Sequence, residues 1–94
     1  MTGQLKGRIT KPDGVLVRRL GDESVLLDLE AESYFGLDDV GTRMWAALTS
    51  TPSLEAALHQ LLAEYDVEPE RLRADLSGFV RKLADAGLID VSDA

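Results

Sequence analysis

The spacing of apolar residues changes abruptly at Asp38, and this change constrains the fold more than any other feature of the sequence. Before Asp38, three short apolar segments are separated by turn residues, a pattern typical of β-strands. After it, apolar residues recur every three or four positions, which is typical of amphipathic helices. The chain is therefore expected to form a sheet from its first part and to cover that sheet with helices, an α+β arrangement.

The first part predicts three strands, at residues 15–20, 24–29 and 33–37. Gly21 and Asp22 are a hairpin signal between the first two strands. Residues 30–32 are a short polar connection to the third. Because such short connections join only antiparallel neighbours, the strands are expected to form an antiparallel meander.

The second part predicts three helices. Asp38 or Asp39 is a natural N-cap for the first, and Pro52 and Pro69 suit the beginnings of the second and third. Gly87 fits the left-handed position that ends a helix. The expected apolar stripes are Val40, Met44, Trp45 and Leu48; Leu54, Ala57, Leu58, Leu61, Leu62 and Tyr65; and Leu72, Leu76, Phe79, Val80 and Leu83. Beyond the third helix, Ile89 and Val91 predict a short extended segment.

A chain of 94 residues has room for one small core. Residues 1–14 are polar and punctuated by glycine and proline, so they predict a flexible N-terminal arm. Residues 15–91 then form the domain: a three-stranded antiparallel sheet followed by three helices, in a winged-helix-like fold.

Composition and charge exclude several classes of function. The chain has no cysteine, which removes disulfides and thiolate metal sites. Its net charge of −7 makes nucleic acid an improbable partner, because DNA binding depends on clustered Lys and Arg. No apolar run is long enough for a signal peptide or a membrane span. We therefore expect a cytoplasmic protein that binds neither nucleic acid nor membrane.

No catalytic constellation is visible. His59 is the single histidine, so a histidine-based metal site or catalytic triad lacks its other members. Phosphate-binding loops of the G-x-x-x-x-G-K and G-x-G-x-x-G types are absent. The carboxylates near Asp38 and Asp39 are explained by turns and by a helix N-terminus. We expect no catalytic residue, no metal, no cofactor and no enzymatic activity.

The strands carry more apolar residues than a sheet with one buried face needs. If Val25, Leu27 and Leu29 face the core, Leu26 and Asp28 point outward. In the third strand, Tyr34 would point away from the face that carries Phe35. Two explanations account equally well for the extra apolar residues. Helices could cover the apolar residues on both faces of the sheet, or one face could form an interaction groove. An unpaired strand edge beside a helix would favour the groove, because a peptide can add to such an edge.

Four segments, spread over about residues 15–91, together resemble the PqqD-like domains. These are Val-Leu-Leu-Asp-Leu (25–29), Tyr-Phe-Gly-Leu-Asp-Asp-Val-Gly-Thr-Arg-Met-Trp (34–45), Leu-x-x-Glu-Tyr-Asp-Val-x-Pro-Glu (61–70) and Leu-x-x-Ala-Gly-Leu-Ile (83–89). The chain departs from the family pattern at Asp38, where asparagine is more usual, and at Met44, where isoleucine or leucine is. Both replacements keep the cap and the core contact, so the implied fold is unchanged.

The resemblance implies a domain that recognises the leader of a ribosomally made, post-translationally modified peptide. In such domains the leader adds beside the third strand and packs against the third helix. Carried onto this chain, the peptide-binding residues are Ser33, Tyr34, Phe35, Gly36, Leu72, Leu76, Phe79 and Val80, with Leu26 and Asp28 as weaker candidates. Gly41 and Trp45 match motif positions that have structural roles.

The resemblance is strongest to the stand-alone leader-binding protein of lasso-peptide clusters, which implies delivery of the precursor to a leader peptidase or another modifying enzyme. A peptide chaperone for a radical-SAM enzyme, as in pyrroloquinoline quinone synthesis, is the alternative within the family. A winged-helix transcription regulator is the alternative from another class. That alternative requires a basic recognition helix, for which Arg71, Arg73, Arg81 and Lys82 are the candidates.

Overall fold

The computed structural model describes residues 7–92 and has the predicted order of a sheet followed by helices. Its elements are β1 (Arg8–Thr10), β2 (Val15–Leu20), β3 (Glu23–Asp28), β4 (Ser33–Leu37), α1 (Asp39–Ser50), α2 (Leu54–Glu64), α3 (Pro69–Asp85) and β5 (Asp90–Ser92). The α+β fold class is confirmed, with a three-stranded antiparallel sheet and three helices.

β2, β3 and β4 form the predicted meander, in that order across the sheet. Leu20 pairs with Glu23, so Gly21 and Asp22 alone make the first turn. Gly21 has φ +68°, the left-handed conformation that a two-residue turn with glycine at its first position requires. Since β3 lies in the centre, β2 and β4 are the edges of this sheet.

The predicted orientation of β3 was wrong. Leu26 is fully buried, with 0% of its surface exposed, and it pairs with Phe35 on the face that the helices cover. Val25 and Leu27 are half-buried on the opposite face, and Leu29 lies beyond the strand and is exposed. Because β3 is apolar on both faces, the sequence was compatible with burial of either face. The pairing of β3 with β4 places the Leu26 face against the core.

Each helix begins with a residue that favours a helix N-terminus, either through a capping side chain or through proline in the first turn. The Asp38 carboxylate accepts a hydrogen bond from the Gly41 N–H, and the Ser53 hydroxyl accepts one from the Ala56 N–H. Pro69 occupies the first turn of α3, where its missing N–H costs nothing.

The core lies between the inner face of the sheet and the three helices. Trp45 is 7% exposed there, as predicted. A buried hydrogen bond of 2.8 Å joins the hydroxyls of Ser24 in β3 and Thr42 in α1, so each satisfies the other. α1 also approaches the end of β4 closely, because a Cβ on Gly41 would lie 3.4 Å from the Leu37 Cβ.

Part of the predicted flexible N-terminal arm is a strand. β1 pairs antiparallel with β5 in a separate two-stranded sheet, and the Gly7 carbonyl accepts a hydrogen bond from the Leu54 N–H at the beginning of α2. The prediction missed β1 because Ile9 is its only apolar residue and its partner lies at the far end of the domain. Residues 1–6 of the arm lie outside the described residues. β5 confirms the short extended segment expected near Val91.

Candidate functional site

A groove of about 590 Å³ runs between β4, the beginning of α1 and one side of α3. It is lined by Phe35, Gly36, Leu37, Asp38, Val40, Gly41, Met44, Ala74, Asp75, Gly78, Phe79 and Lys82. The groove therefore lies where the sequence analysis expected a peptide, beside the third strand of the meander and against the third helix.

The edge of β4 offers unpaired backbone groups to this groove. A two-residue turn closes on a hydrogen-bonded pair, which here is Leu20 and Glu23. Because bonded and non-bonded pairs alternate along antiparallel strands, Phe35 then bonds to Leu26 in β3. Tyr34 and Gly36 direct their N–H and C=O groups to the other side. Within residues 7–92 no strand lies beyond β4, so these groups are available to an added strand.

The residues predicted on the strands divide between the groove and the rest of the sheet. Phe35 and Gly36 line the groove. Ser33 is exposed at the beginning of β4, and the Tyr34 side chain is 78% exposed on the outer face of the sheet. Leu26 belongs to the core. The Asp28 carboxylate accepts hydrogen bonds from the N–H groups of Glu30 and Ala31, where it stabilises the β3–β4 turn.

The residues predicted on α3 divide in a similar way. Phe79 is half-buried and lines the groove, whereas Leu72, Leu76 and Val80 are buried in the core. A helix places residues three and four apart on one face, so the stripe that contains Leu76 and Val80 faces inward and the adjacent side of the helix faces the groove.

The small residues that make room in the groove were not predicted from the sequence. Gly78 lies in the middle of α3, where glycine is unfavourable by about 1 kcal/mol relative to alanine. A Cβ at this position would have no heavy atom within 4 Å, so packing does not require glycine there. Ala74 lies one helical turn before it and also lines the groove. The groove could have been inferred from the sequence by noting a glycine in the interior of the predicted third helix, which packs beside an apolar strand.

Both signs of charge are present along the groove. The Asp38 carboxylate is engaged in the cap of α1, at 2.8 Å from the Gly41 nitrogen. Asp75 and Lys82 are exposed, and neither makes an ion pair with another residue of the described part. The two side chains are therefore free to contact polar groups of a bound molecule.

The basic residues of α3 do not form a continuous cationic surface. The Arg73 guanidinium donates two hydrogen bonds to the Glu55 carboxylate on α2, at 3.2 and 3.3 Å. His59 also lies beside this carboxylate, with 3.5 Å between His59 Nε2 and Glu55 Oε2. This network joins α2 to α3 away from the groove. It neutralises Arg73, one of the four basic residues of α3 that a recognition helix would use.

Among residues 7–92, no group of three or more His, Cys, Asp or Glu side chains is arranged to hold a metal ion. Over the same range, none of the helices combines the length and the apolar character that crossing a membrane requires.

Comparison with known proteins adds a family and a fold. The family model described as Coenzyme PQQ synthesis protein D (PqqD) matches residues 23–89, more than half of the 94-residue chain. None of the curated proteins compared with the chain matches it.

Two solved structures are similar over most of the domain. TbiB1, determined in complex with the TbiA(beta) leader peptide, has a TM-score of 0.80 and 38% identity, covering 85% of this chain and 93% of its own. A lasso peptide synthetase B1 complexed with the leader peptide has a TM-score of 0.80 and 23% identity, covering 88% of this chain and 98% of its own. At this lower identity, the second structure shows a common fold.

Proposed function

Because the chain belongs to the PqqD family, we propose that it binds the leader segment of a ribosomally synthesised precursor peptide. The leader adds as a strand to the free edge of β4 and packs against α3. The observation that carries this proposal is the groove itself, which combines the unpaired backbone of Tyr34 and Gly36 with the apolar ring of Phe79. Backbone hydrogen bonds provide affinity, and the side chains in the groove provide selectivity.

Of the two pathways that the family resemblance left open, we favour lasso-peptide biosynthesis. TbiB1, at 38% identity, was determined with a leader peptide, and the structure with the same fold is a lasso peptide synthetase B1 with its leader peptide. The radical-SAM chaperone is supported by the description of the family model, but by neither of the two solved structures. The transcription-regulator alternative is disfavoured by the net charge of −7 and by the pairing of Arg73 with Glu55.

We propose further that the domain is a cytoplasmic adaptor without catalytic activity, which presents the bound leader to a leader peptidase or another modifying enzyme. The outer face of the sheet supports this role. Leu16, Leu27 and Tyr34 form one row across the three strands, on the side away from the helices. Leu16 is 43% exposed and Tyr34 78% exposed, so the row stays accessible while the groove is occupied.

Strand addition predicts a specific effect of proline at Gly36. Gly36→Pro removes an N–H that points to the free edge, and proline is tolerated at such positions of edge strands. We expect the variant to fold and to bind the leader about tenfold more weakly, since one backbone hydrogen bond and its geometry are lost. The measurement is fluorescence polarisation with the labelled leader of the cognate precursor peptide and, in parallel, with the TbiA(beta) leader peptide of the TbiB1 complex, with a thermal melt of each variant.

Gly36→Ala is the matched control, because it adds a methyl group into open space and keeps the N–H. It should bind the leader as the unmodified protein does. Equal affinity of the proline variant would show that the leader does not use this edge. Absence of any binding by the unmodified protein would refute the proposed function as a whole.

The presentation step predicts a different phenotype for Leu16→Glu. A charge on the outer face should leave leader affinity unchanged, because Leu16 does not line the groove. We expect the rate at which the pathway's peptidase removes the leader to fall about tenfold, as for loss of an apolar interface anchor. Equal cleavage rates for the two proteins at the same leader occupancy would exclude this face as the docking surface.

A further inference from the structure

The second edge of the three-stranded sheet, β2, is regular along its whole length. All six of its residues pair with β3 in continuous register. Because Leu20 and Glu23 are a hydrogen-bonded pair, the alternation of antiparallel strands directs the N–H and C=O groups of Val17 and Arg19 away from β3. Within residues 7–92 no strand lies beyond β2, so these backbone groups are available to a further strand.

The helices leave most of β2 uncovered. α1 packs against β3 and β4, and Val15 is the one buried residue of β2. Val17 lies on the inner face, opposite the fully buried Leu26, and is nevertheless 36% exposed. On the outer face, Leu16 and Leu20 are also exposed. Both faces of β2 therefore present apolar surface next to the unpaired backbone.

This strand also carries two adjacent arginines, Arg18 and Arg19. Neither forms an ion pair with another residue of the described part, and Arg19 Nε donates a hydrogen bond of 3.0 Å to the Gly21 carbonyl. Since successive side chains of a strand point to opposite faces, one arginine lies on each face. Residues 8–19 contain four basic side chains and one acidic one, whereas the rest of the chain contains six basic and sixteen acidic ones. The β2 edge, meaning residues 16–20, is thus cationic on an otherwise acidic protein.

The arginines discriminate between possible occupants of the β2 edge. A second copy that paired through the same edge would bring two arginines from each chain into one junction, and like charges on neighbouring strands are destabilising. An acidic strand would instead form charge-assisted hydrogen bonds with both guanidinium groups, in addition to the backbone hydrogen bonds of strand addition. Charge therefore favours an acidic partner over a second copy.

The order of side chains on β2 defines the complementary sequence. Antiparallel strands pair slightly more stably than parallel ones, and their residues run in opposite order. An added antiparallel strand would therefore meet Arg19 and Arg18 first, then Val17 and Leu16. Its best match is two consecutive acidic residues followed by two consecutive apolar residues, because directly opposed side chains are the pairs that stabilise a sheet.

We propose that the β2 edge is the docking site for an acidic, extended segment of the enzyme to which this adaptor presents the leader. This inference rests on the proposed presentation of the leader and deepens it by naming the chemistry of the partner. Leu16 belongs both to the β2 edge and to the exposed row on the outer face, so the two surfaces are continuous. The leader occupies the opposite edge, at β4. A sheet of five strands then joins the peptide to the enzyme, and the two additions do not compete.

The first test uses a synthetic peptide as the probe, Thr-Thr-Glu-Glu-Val-Val-Thr-Thr with both ends capped. Its matched control is Thr-Thr-Lys-Lys-Val-Val-Thr-Thr. Each peptide is titrated into the isotope-labelled protein, and amide resonances are followed by two-dimensional NMR. We expect the glutamate peptide to shift the resonances of Val17 and Arg19 and to bind about tenfold more tightly than the lysine peptide, since two exposed charge pairs change from repulsive to attractive.

Charge reversal on the protein tests the same contact from the other side. The double variant Arg18→Glu, Arg19→Glu should prefer the lysine peptide about tenfold. Arg81→Glu is the matched control, because it reverses an exposed arginine on α3 and should keep the original preference. Thermal melts verify folding. If the double variant does not fold, Arg18→Glu replaces it and should abolish the preference.

The charge-reversed protein also connects the β2 edge to the enzyme. It should bind the leader with normal affinity in the polarisation experiment used for Gly36→Pro, because neither arginine lines the groove. At equal leader occupancy, the rate at which the pathway's peptidase removes the leader should fall about tenfold. An unchanged rate would overturn the assignment of this edge to the enzyme.

The remaining outcomes separate this proposal from leader binding. The docking site would be overturned by unshifted Val17 and Arg19 resonances, by a peptide preference that survives charge reversal, or by a dimer that sedimentation detects and charge reversal dissociates. Each of these results leaves leader binding intact. Failure of the unmodified protein to bind the leader would instead overturn the proposed function, and the peptide titration distinguishes this case because it contains no leader.

Discussion

Trp45→Ala is expected to lower the free energy of unfolding by about 3–5 kcal/mol, the usual cost of removing a large buried aromatic side chain. Trp45 is 7% exposed in the core beside the inner face of the sheet. Small domains have total stabilities of roughly 5–15 kcal/mol, so this one substitution removes a large part of the reserve. Urea denaturation followed by far-ultraviolet circular dichroism measures the change, since the variant lacks the chain's single tryptophan as a fluorophore.

Tyr34→Ala is the matched control for this experiment, because it removes another aromatic ring from a side chain that is 78% exposed. Its effect on unfolding should stay within about 0.5 kcal/mol, as for most surface substitutions. If the two alanine variants unfolded at similar urea concentrations, the assignment of Trp45 to the core would be wrong.

Gly78→Leu is expected to have the largest effect on leader binding, a loss of about 100-fold, or roughly 2.7 kcal/mol. The leucine side chain would enter the open space above α3 that the peptide uses in the proposed complex. The free energy of unfolding should not decrease although the affinity for the leader does, because leucine is a better helix former than glycine. Gly78→Ala should raise the free energy of unfolding by about 0.5–1 kcal/mol for the same reason. Fluorescence polarisation and urea denaturation on the same samples measure both quantities.

Arg81→Leu controls for the added apolar side chain, since Arg81 is exposed on α3 and does not line the groove. It should bind the leader with nearly normal affinity. A stable Gly78→Leu protein that kept its full affinity would mean that the peptide binds elsewhere than in the groove.

The element boundaries of this domain were predictable because local chemistry determines them. Gly21 adopts the positive φ of the tight turn, Asp38 caps α1, and Gly87 has φ +76° after α3. Each of these residues acts within a few positions of itself in the chain. Sequence patterns record such short-range constraints directly, and the predicted β2 and β4 have the observed bounds.

Long-range pairing was not predictable in the same way. The run Val25–Leu27 is apolar on both faces, and only its register against β4 places Leu26 inside. β1 depends on β5, which follows three helices later. The groove raises a third difficulty, because it includes open space above Gly78, which has no side chain, and an empty space leaves no apolar pattern. The apolar periodicity of α3 therefore identified the residues that face the core. Of the α3 residues that face the groove, it identified only Phe79.

The pairing of β1 with β5 has a practical consequence for protein engineering. Arg8 lies opposite Ser92, and paired residues in antiparallel strands have Cα atoms only about 4.5–5.5 Å apart. A linker of a few residues would therefore connect these two points without distorting the domain. New ends are best opened at the exposed α2–α3 connection near Asp66, since chains tolerate cuts at exposed loops. Such a circular permutant would allow a reporter protein to be attached at that connection.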